Sequence, residues 1–200
     1  MATVIQGPAP FININFWLTG PFWEDRGPSH VPRYHKGVDL ATSSGNSPFY
    51  SIQNGVVIGK GHTSGYGHYL ITRNPTTHEA FFYADMDEAS SLNVGDPVTI
   101  NQTRIGYEGA PGASTGGHVH IEEQILADGE SYHIGAGARS YYQDPTVYIG
   151  IPNVEGGPYI YYGGYVPPTP PPPTPPTPTY EEKHKFPWFI YYNRWRRFGR

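Results

Sequence analysis

Residues 166–179 read VPPTPPPPTPPTPT, and no other stretch limits the possible folds so severely. Each proline removes a backbone donor and fixes φ, so the run can enter neither a helix interior nor a sheet interior; an extended polyproline II spacer is the expectation. The chain of 200 residues therefore divides. Residues 1–155 form a domain large enough to bury a core of its own. Residues 156–179 form a linker, first Gly/Tyr-rich (GGPYIYYGGY) and then Pro-rich. Residues 180–200 form an aromatic, basic tail too short to fold alone.

Within the domain, turn-forming residues set the architecture. Twenty-five glycines and 22 prolines across the chain favour short strands and many turns. Nothing sustains a helical period over a dozen residues. PFYSIQNGVVIGKG carries Asn54–Gly55 between two β-rich runs, which predicts a hairpin there. GYGHYLITRN and HEAFFYADM predict two strands joined by a turn at Asn74–Pro75, and VGDPV and RIGYEG continue the series. The expected class is mainly β, an antiparallel β-sheet domain.

Charge and composition remove several functions. Residues 180–200 carry six Lys/Arg against Glu181 and Glu182, a net +4. Residues 1–179 hold seven basic and fifteen acidic side chains, a net −8. An acidic body argues against nucleic-acid binding, whereas the basic tail suits an anionic surface. With no cysteine, any transition metal must be held by His, Asp or Glu. No segment approaches the roughly 18 apolar residues that span a membrane. The N-terminus lacks the charged and apolar regions of a signal peptide.

STGGHVHIEE, residues 114–123, places His118 and His120 on alternate positions of a predicted strand. Both imidazoles then face one side, roughly 6.6 Å apart along the chain, an arrangement suited to a metal ion, a proton relay or both. Upstream, RYHKGVDLA offers His35, Gly37 and Asp39. Fully extended, His35 and Asp39 would stand roughly 13 Å apart, so the backbone must bend, and Gly37 tolerates a bend. A hydrogen-bonded loop histidine explains either motif alone. Together they specify three ligands for zinc, namely His35, Asp39 and one of His118/His120. The other histidine is left to handle the proton of a bound water.

From about Gly20 to Ile151 the chain resembles the lysostaphin-type, LytM-like zinc metallopeptidases, which cut peptide bonds in bacterial peptidoglycan. The matching pieces run in order: HKGVDLA, GNSPFYSIQNGVV, GYGHYLI, FFYADM, VGDPV and RIGYEGAPGASTGGHVHIEE. The resemblance implies an open groove with zinc on its floor, His35, Asp39 and His120 as metal ligands, and His118 as a catalytic histidine. It also exposes a departure. Where the family carries a second catalytic histidine in Y-x-H-L, this chain reads Tyr83-Ala84-Asp85-Met86. Asp85 takes that place, facing His118 or the bound water, with strand alternation from Phe81 setting Tyr83 and Asp85 on one face. An ionised aspartate accepts a proton but cannot donate to an oxyanion. A slipped register would offer His68 or His78 instead.

The remaining candidates carry blander expectations. His62 and His68 belong to a loop at the groove rim, and His30, His133 and His184 to the surface. Glu122 shares the metal face by alternation, yet a solvated strand end is the expectation for Glu122 and Glu123. Tyr34, Tyr66 and Tyr107 are packing residues by default, with a groove-lining role as the alternative. The functional expectation is a zinc metalloendopeptidase acting on the stem peptide or cross-bridge of peptidoglycan, outside the cytoplasmic membrane. Without an export signal, a phage lysin or a virion-associated protein fits, its tail at 180–200 docking to virion tail proteins or anionic wall polymers. The alternative is a wall-binding or structural phage module that keeps the zinc groove without turnover.

Overall fold

The computed structural model describes residues 1–27, 33–111 and 116–163. The proline spacer beyond 163, the tail at 180–200, His30, His184 and the glycine-rich approach at 112–115 lie outside the described residues. The strands are β1 Thr3–Val4, β2 Phe16–Gly20, β3 Val38–Thr42, β4 Pro48–Tyr50, β5 Gly55–Thr63 and β6 Gly67–Arg73. They continue as β7 Glu79–Met86, β8 Pro97–Val98, β9 Arg104–Tyr107, β10 Val119–Ile125 and β11 Gly156–Ile160. One α-helix among the described residues, α1 Pro145–Ile149, spans five residues. The protein is mainly β, as its turn-rich sequence requires.

Nine strands form one sheet in the order β1-β11-β2-β3-β10-β7-β6-β5-β8, while β4 and β9 make a small second sheet. Among the described residues all strand pairings are antiparallel except β1 with β11. Strand alternation assigns the faces. Val38, Leu40, Phe81, Tyr83, Val119 and Ile121 turn one way into the main core, with Phe16, Phe49 and Leu70. Each such side chain contributes roughly 1.5–3 kcal/mol by leaving water. Ile71, Phe82 and Ala84 turn the other way and pack with Tyr66, Tyr69 and Tyr132. This second face carries the functional groups.

The turn at Asn74–Pro75 joins β6 to β7 as predicted, with Asn74 Oδ1 accepting from the Thr76 amide at 2.9 Å. The predicted hairpin at Asn54–Gly55 does not form. β4 pairs with β9 in the small sheet, and β5 pairs with β6 and β8. Asn54 Oδ1 instead accepts from the Ile100 amide at 2.9 Å, and Gly55 lies where a Cβ would overlap the Arg73 carbonyl. The dipeptide makes a crossover between sheets. The sheet also extends past the predicted domain end at 155, because Gly156–Ile160 is a strand. Buried Tyr159 and Tyr161 draw this segment onto β1 and β2.

Candidate metal centre

β10 crosses β3 with His120 directly opposite Asp39, which puts both side chains on the face away from Val119 and Ile121. His35 precedes β3 and is fixed by backbone bonds. Its amide donates to the Glu24 carbonyl at 2.8 Å, and its carbonyl accepts from the Trp23 amide at 2.7 Å. Gly37 is required by close approach, since a Cβ there would overlap the Ile121 carbonyl of β10; its φ is not left-handed. The result is a tight triangle. His35 Nε2 lies 3.0 Å from His120 Nδ1, His120 Nδ1 lies 2.9 Å from Asp39 Oδ1, and Asp39 Oδ1 lies 3.1 Å from His35 Nε2. All three residues are buried.

Outer hydrogen bonds decide what this triangle presents. His35 Nδ1 lies 2.8 Å from the Pro21 carbonyl, and His120 Nε2 lies 3.2 Å from Glu122 Oε1. Both partners only accept, so those nitrogens carry the protons. In the neutral rings, His35 Nε2 and His120 Nδ1 are then bare lone pairs aimed at one point beside a carboxylate oxygen. Three acceptors this close repel one another unless a cation joins them. Around a tetrahedral ion with bonds of about 2.0–2.1 Å, ligand atoms stand about 3.3–3.4 Å apart, a few tenths wider than here. The donor set fits a divalent metal.

Without an ion, a proton takes that place. Burial pushes His120 down, but its bonds to Asp39 and Glu122 outweigh burial and raise it to about 10. Burial lowers His35 more than Asp39 restores it. Burial likewise pushes the Asp39 carboxyl up, yet His120 and His35 hold it far below the usual carboxylate range. Asp39 is committed at both oxygens, because Arg26 Nη2 donates to Oδ2 at 2.8 Å.

Beside the triangle, His118 Nε2 lies 3.0 Å from Asp85 Oδ2 and 3.8 Å from Asp39 Oδ1. His118 Nδ1 faces the Gly116 carbonyl at 3.0 Å. Burial lowers His118, but the bond to Asp85 and the charge of Asp39 prevail and its pKa is raised. Asp85 reaches this position against simple alternation. Ala84 lies opposite His120 and Tyr83 opposite Ile121, so a regular strand would send Asp85 into the core with Tyr83. Instead the β6–β7 register shifts near this point, and Asp85 adopts φ 62 with its amide donating to the Tyr66 carbonyl at 2.9 Å. The expected sharing of one face by Tyr83 and Asp85 is corrected. Tyr83 OH lies in the core 3.1 Å from the Ile52 amide, and Asp85 turns to the site. A left-handed aspartate stores strain that the surrounding structure must hold.

The other candidates separate cleanly. His62 and His68 face each other across the β5–β6 hairpin, ring centroids 4.7 Å apart. His78 Nδ1 accepts from Arg73 Nη2 at 2.7 Å. His133 pairs with Glu130 at 2.8 Å. Neither His68 nor His78 supplies the group that Asp85 supplies. Glu122 is not a solvated strand end: it is fully buried, and Tyr66 OH and Tyr132 OH donate to its two oxygens at 3.0 and 3.2 Å. Glu123 is also buried, on the opposite face. Arg26 and Tyr132 had no signal in the sequence, since neither sits at a fixed spacing from the histidine motifs. The site opens into a cleft of about 690 Å³ lined also by Tyr34 and Tyr66, whereas Tyr107 lines a separate cleft with Arg104.

A β-sheet with a buried His/Asp/His donor set at the floor of an open cleft defines the class of domain. Residues 33–132, half of the chain, match Peptidase family M23, and the chain belongs to that family. It is similar to the DD-carboxypeptidase/endopeptidase Mpg of Neisseria meningitidis serogroup B, 32% identical over 96 residues, which are 48% of this chain and 21% of that protein. The chain thus spans about a fifth of the length of the curated relatives it matches. The fold is shared with the catalytic domain of lysostaphin from Staphylococcus simulans (20% identity, TM-score 0.51, covering 70% of this chain and 94% of that one). It is also shared with a point mutant of the catalytic domain of EnpA, a prophage-encoded M23 protein from Enterococcus faecalis (22% identity, TM-score 0.52, covering 70% and 96%).

Proposed function

We propose that this protein is a zinc metalloendopeptidase that hydrolyses peptide bonds in bacterial peptidoglycan. The carrying observation is the convergence of His35 Nε2, Asp39 Oδ1 and His120 Nδ1, with outer hydrogen bonds holding both histidines in the ligating tautomer. Membership of a peptidase family and the names of the relatives support the reading. Zinc held by these three residues would polarise a scissile carbonyl and lower the pKa of a bound water toward about 7. Arg26 and Glu122 fix Asp39 and His120 from behind.

His118 is the proton acceptor. Its Nδ1–H is held by the Gly116 carbonyl, so Nε2 faces the site and takes the proton there. Asp85, 3.0 Å away, stabilises the imidazolium so formed. A carboxylate supplies no hydrogen bond to an oxyanion, a donor typically worth about 3–4 kcal/mol, so turnover is slow beside that of a histidine-bearing site. The second reading, a wall-binding module without turnover, rests on that missing donor.

Metal analysis and digestion of purified cell walls from several species, with mass spectrometry of the released fragments, test the proposal. Bound zinc with released peptides supports it; bound zinc with intact walls favours the second reading; a zinc-free protein sinks both. Action at the wall, delivery on a virion, and docking of residues 180–200 to virion tail proteins or anionic wall polymers extend the same proposal. Wall pull-down with a chain lacking that tail checks the last point. Among the described residues no helix is long and apolar enough to cross a membrane.

A further inference from the structure

The cleft is basic within an acidic body. Residues 1–179 contain seven Lys/Arg, and three of them, Arg26, Arg33 and Lys36, line this one cleft. Of the fifteen acidic residues in the same span, only Asp39 and Asp85 line it. Both acids are committed, Asp39 to His35, His120 and Arg26, Asp85 to His118. The cations differ in how far they are used. Arg26 is bound to Asp39 and Glu24. Lys36 Nζ donates to the Gly135 carbonyl at 2.7 Å and keeps its charge. Arg33 is exposed and its amide donates to Asp25 Oδ1 at 3.0 Å; among the described residues its guanidinium has no partner.

The next residue adds a surface for the ligand to lie on. Tyr34 is 42% exposed on the cleft wall and stacks on Trp23, ring centroids 5.1 Å apart and nearly parallel at 6°. Arg139 backs Trp23 from 5.1 Å. A ring held in this way keeps one face for a peptide and loses little freedom on binding it.

We propose that Arg33, with Lys36 beside it, anchors a free carboxylate of the substrate, so that the site selects anionic stem peptides over neutral glycine bridges. This rests on the peptidase reading above and narrows its substrate class. A neutral bridge offers the Arg33 guanidinium and the Lys36 ammonium only amide carbonyls, which accept a hydrogen bond but bring no opposite charge. A carboxylate gains a charge-assisted, planar bond to Arg33 and attraction along the basic wall. The carboxylate is either the C-terminal one of a stem peptide or that of an internal acidic residue.

The test uses the zinc-loaded 200-residue chain and four peptides: a stem pentapeptide with its free acids, its C-terminal amide, a version with the internal carboxylates amidated, and pentaglycine made neutral by N-acetylation and C-terminal amidation. KM for the acid is expected to be about tenfold or more below that for one of the amidated forms, and which amidation raises it identifies the carboxylate. The preference should shrink as salt rises. Arg33→Ala should erase the preference through KM rather than kcat, and Arg33→Lys should restore part of it. Calorimetry with the His118→Ala chain gives the same comparison as dissociation constants, without turnover. Equal affinity for acid, amides and pentaglycine overturns the carboxylate anchor, while released wall fragments would leave the peptidase reading standing. A preference that survives Arg33→Ala overturns the assignment to Arg33. Failure to bind any of the four peptides, with walls intact, removes the peptidase reading and the anchor with it.

Discussion

His118 Nε2 and Asp85 Oδ2 stand 3.0 Å apart, while the opposite nitrogen of the same ring faces the Gly116 carbonyl at 3.0 Å. Both partners accept, so the geometry stabilises a doubly protonated His118, the form that proton uptake in the proposed hydrolysis would produce.

Replacing Asp85 tests that pairing. Asp85→Asn should keep the metal but lower cleavage of wall peptides sharply, on the order of 10²-fold. Because Asp85 raises the His118 pKa, its loss should also move the acidic limb of the kcat/KM profile to lower pH. Asp85→His restores an oxyanion donor and should preserve or raise turnover. A parent-like rate and profile in Asp85→Asn would make Asp85 a bystander.

The metal itself should depend on groups at two distances. His120→Ala removes a proposed ligand and should strip the ion and abolish activity; full occupancy in that variant would refute the assignment. Glu122→Gln keeps the shape but weakens the hold on the His120 tautomer, so metal affinity should fall about 10–100-fold in a chelator competition. An unchanged affinity would reduce Glu122 to a packing residue.

What is legible in the sequence follows from the range of each interaction. His118 and His120 were legible because a strand repeats every two residues, and His35 and Asp39 because one glycine sits between them. Their convergence needs only the register of β10 on β3. Arg26 reaches Asp39 through a loop and carried no local pattern. Glu122 read as a strand end, but β10 runs on to Ile125 and two tyrosine hydroxyls cover its carboxylate. The resemblance locates Asp85, whereas plain strand alternation misplaces its side chain, since a register shift and a left-handed φ are tertiary outcomes. Asn54–Gly55 failed for the same reason. A turn dipeptide permits a hairpin, and the available partner strands decide whether one forms.

Removal of residues 166–200 should leave the melting temperature within a few degrees of the parent. The sheet closes before that point: Asn13 donates to the Tyr161 carbonyl at 2.8 Å, and Gly163 donates to Asn13 Oδ1 at 3.0 Å. Thermal unfolding of the truncated chain measures this, and a cooperative transition lost on truncation would place the tail within the folded unit.

Glu123 gives the fold a pH dependence separate from the metal. It is 6% exposed on the face opposite His120, and burial, then the charges of Glu79 and Asp144, push its carboxyl up to about 8. Unfolded, it would titrate near 4.5. The folded state therefore binds this proton more tightly, and the resulting stability is fully present below about pH 4.5. It declines as pH rises and is gone once pH passes about 8, a loss on the order of a few kcal/mol. Glu123→Gln mimics the protonated form and removes the titration. Its melting temperature should match the parent's at pH 5 and exceed it at pH 9 by several degrees. Parallel curves for the two proteins from pH 5 to 9 would mean that Glu123 ionises in the folded state as readily as in the unfolded one.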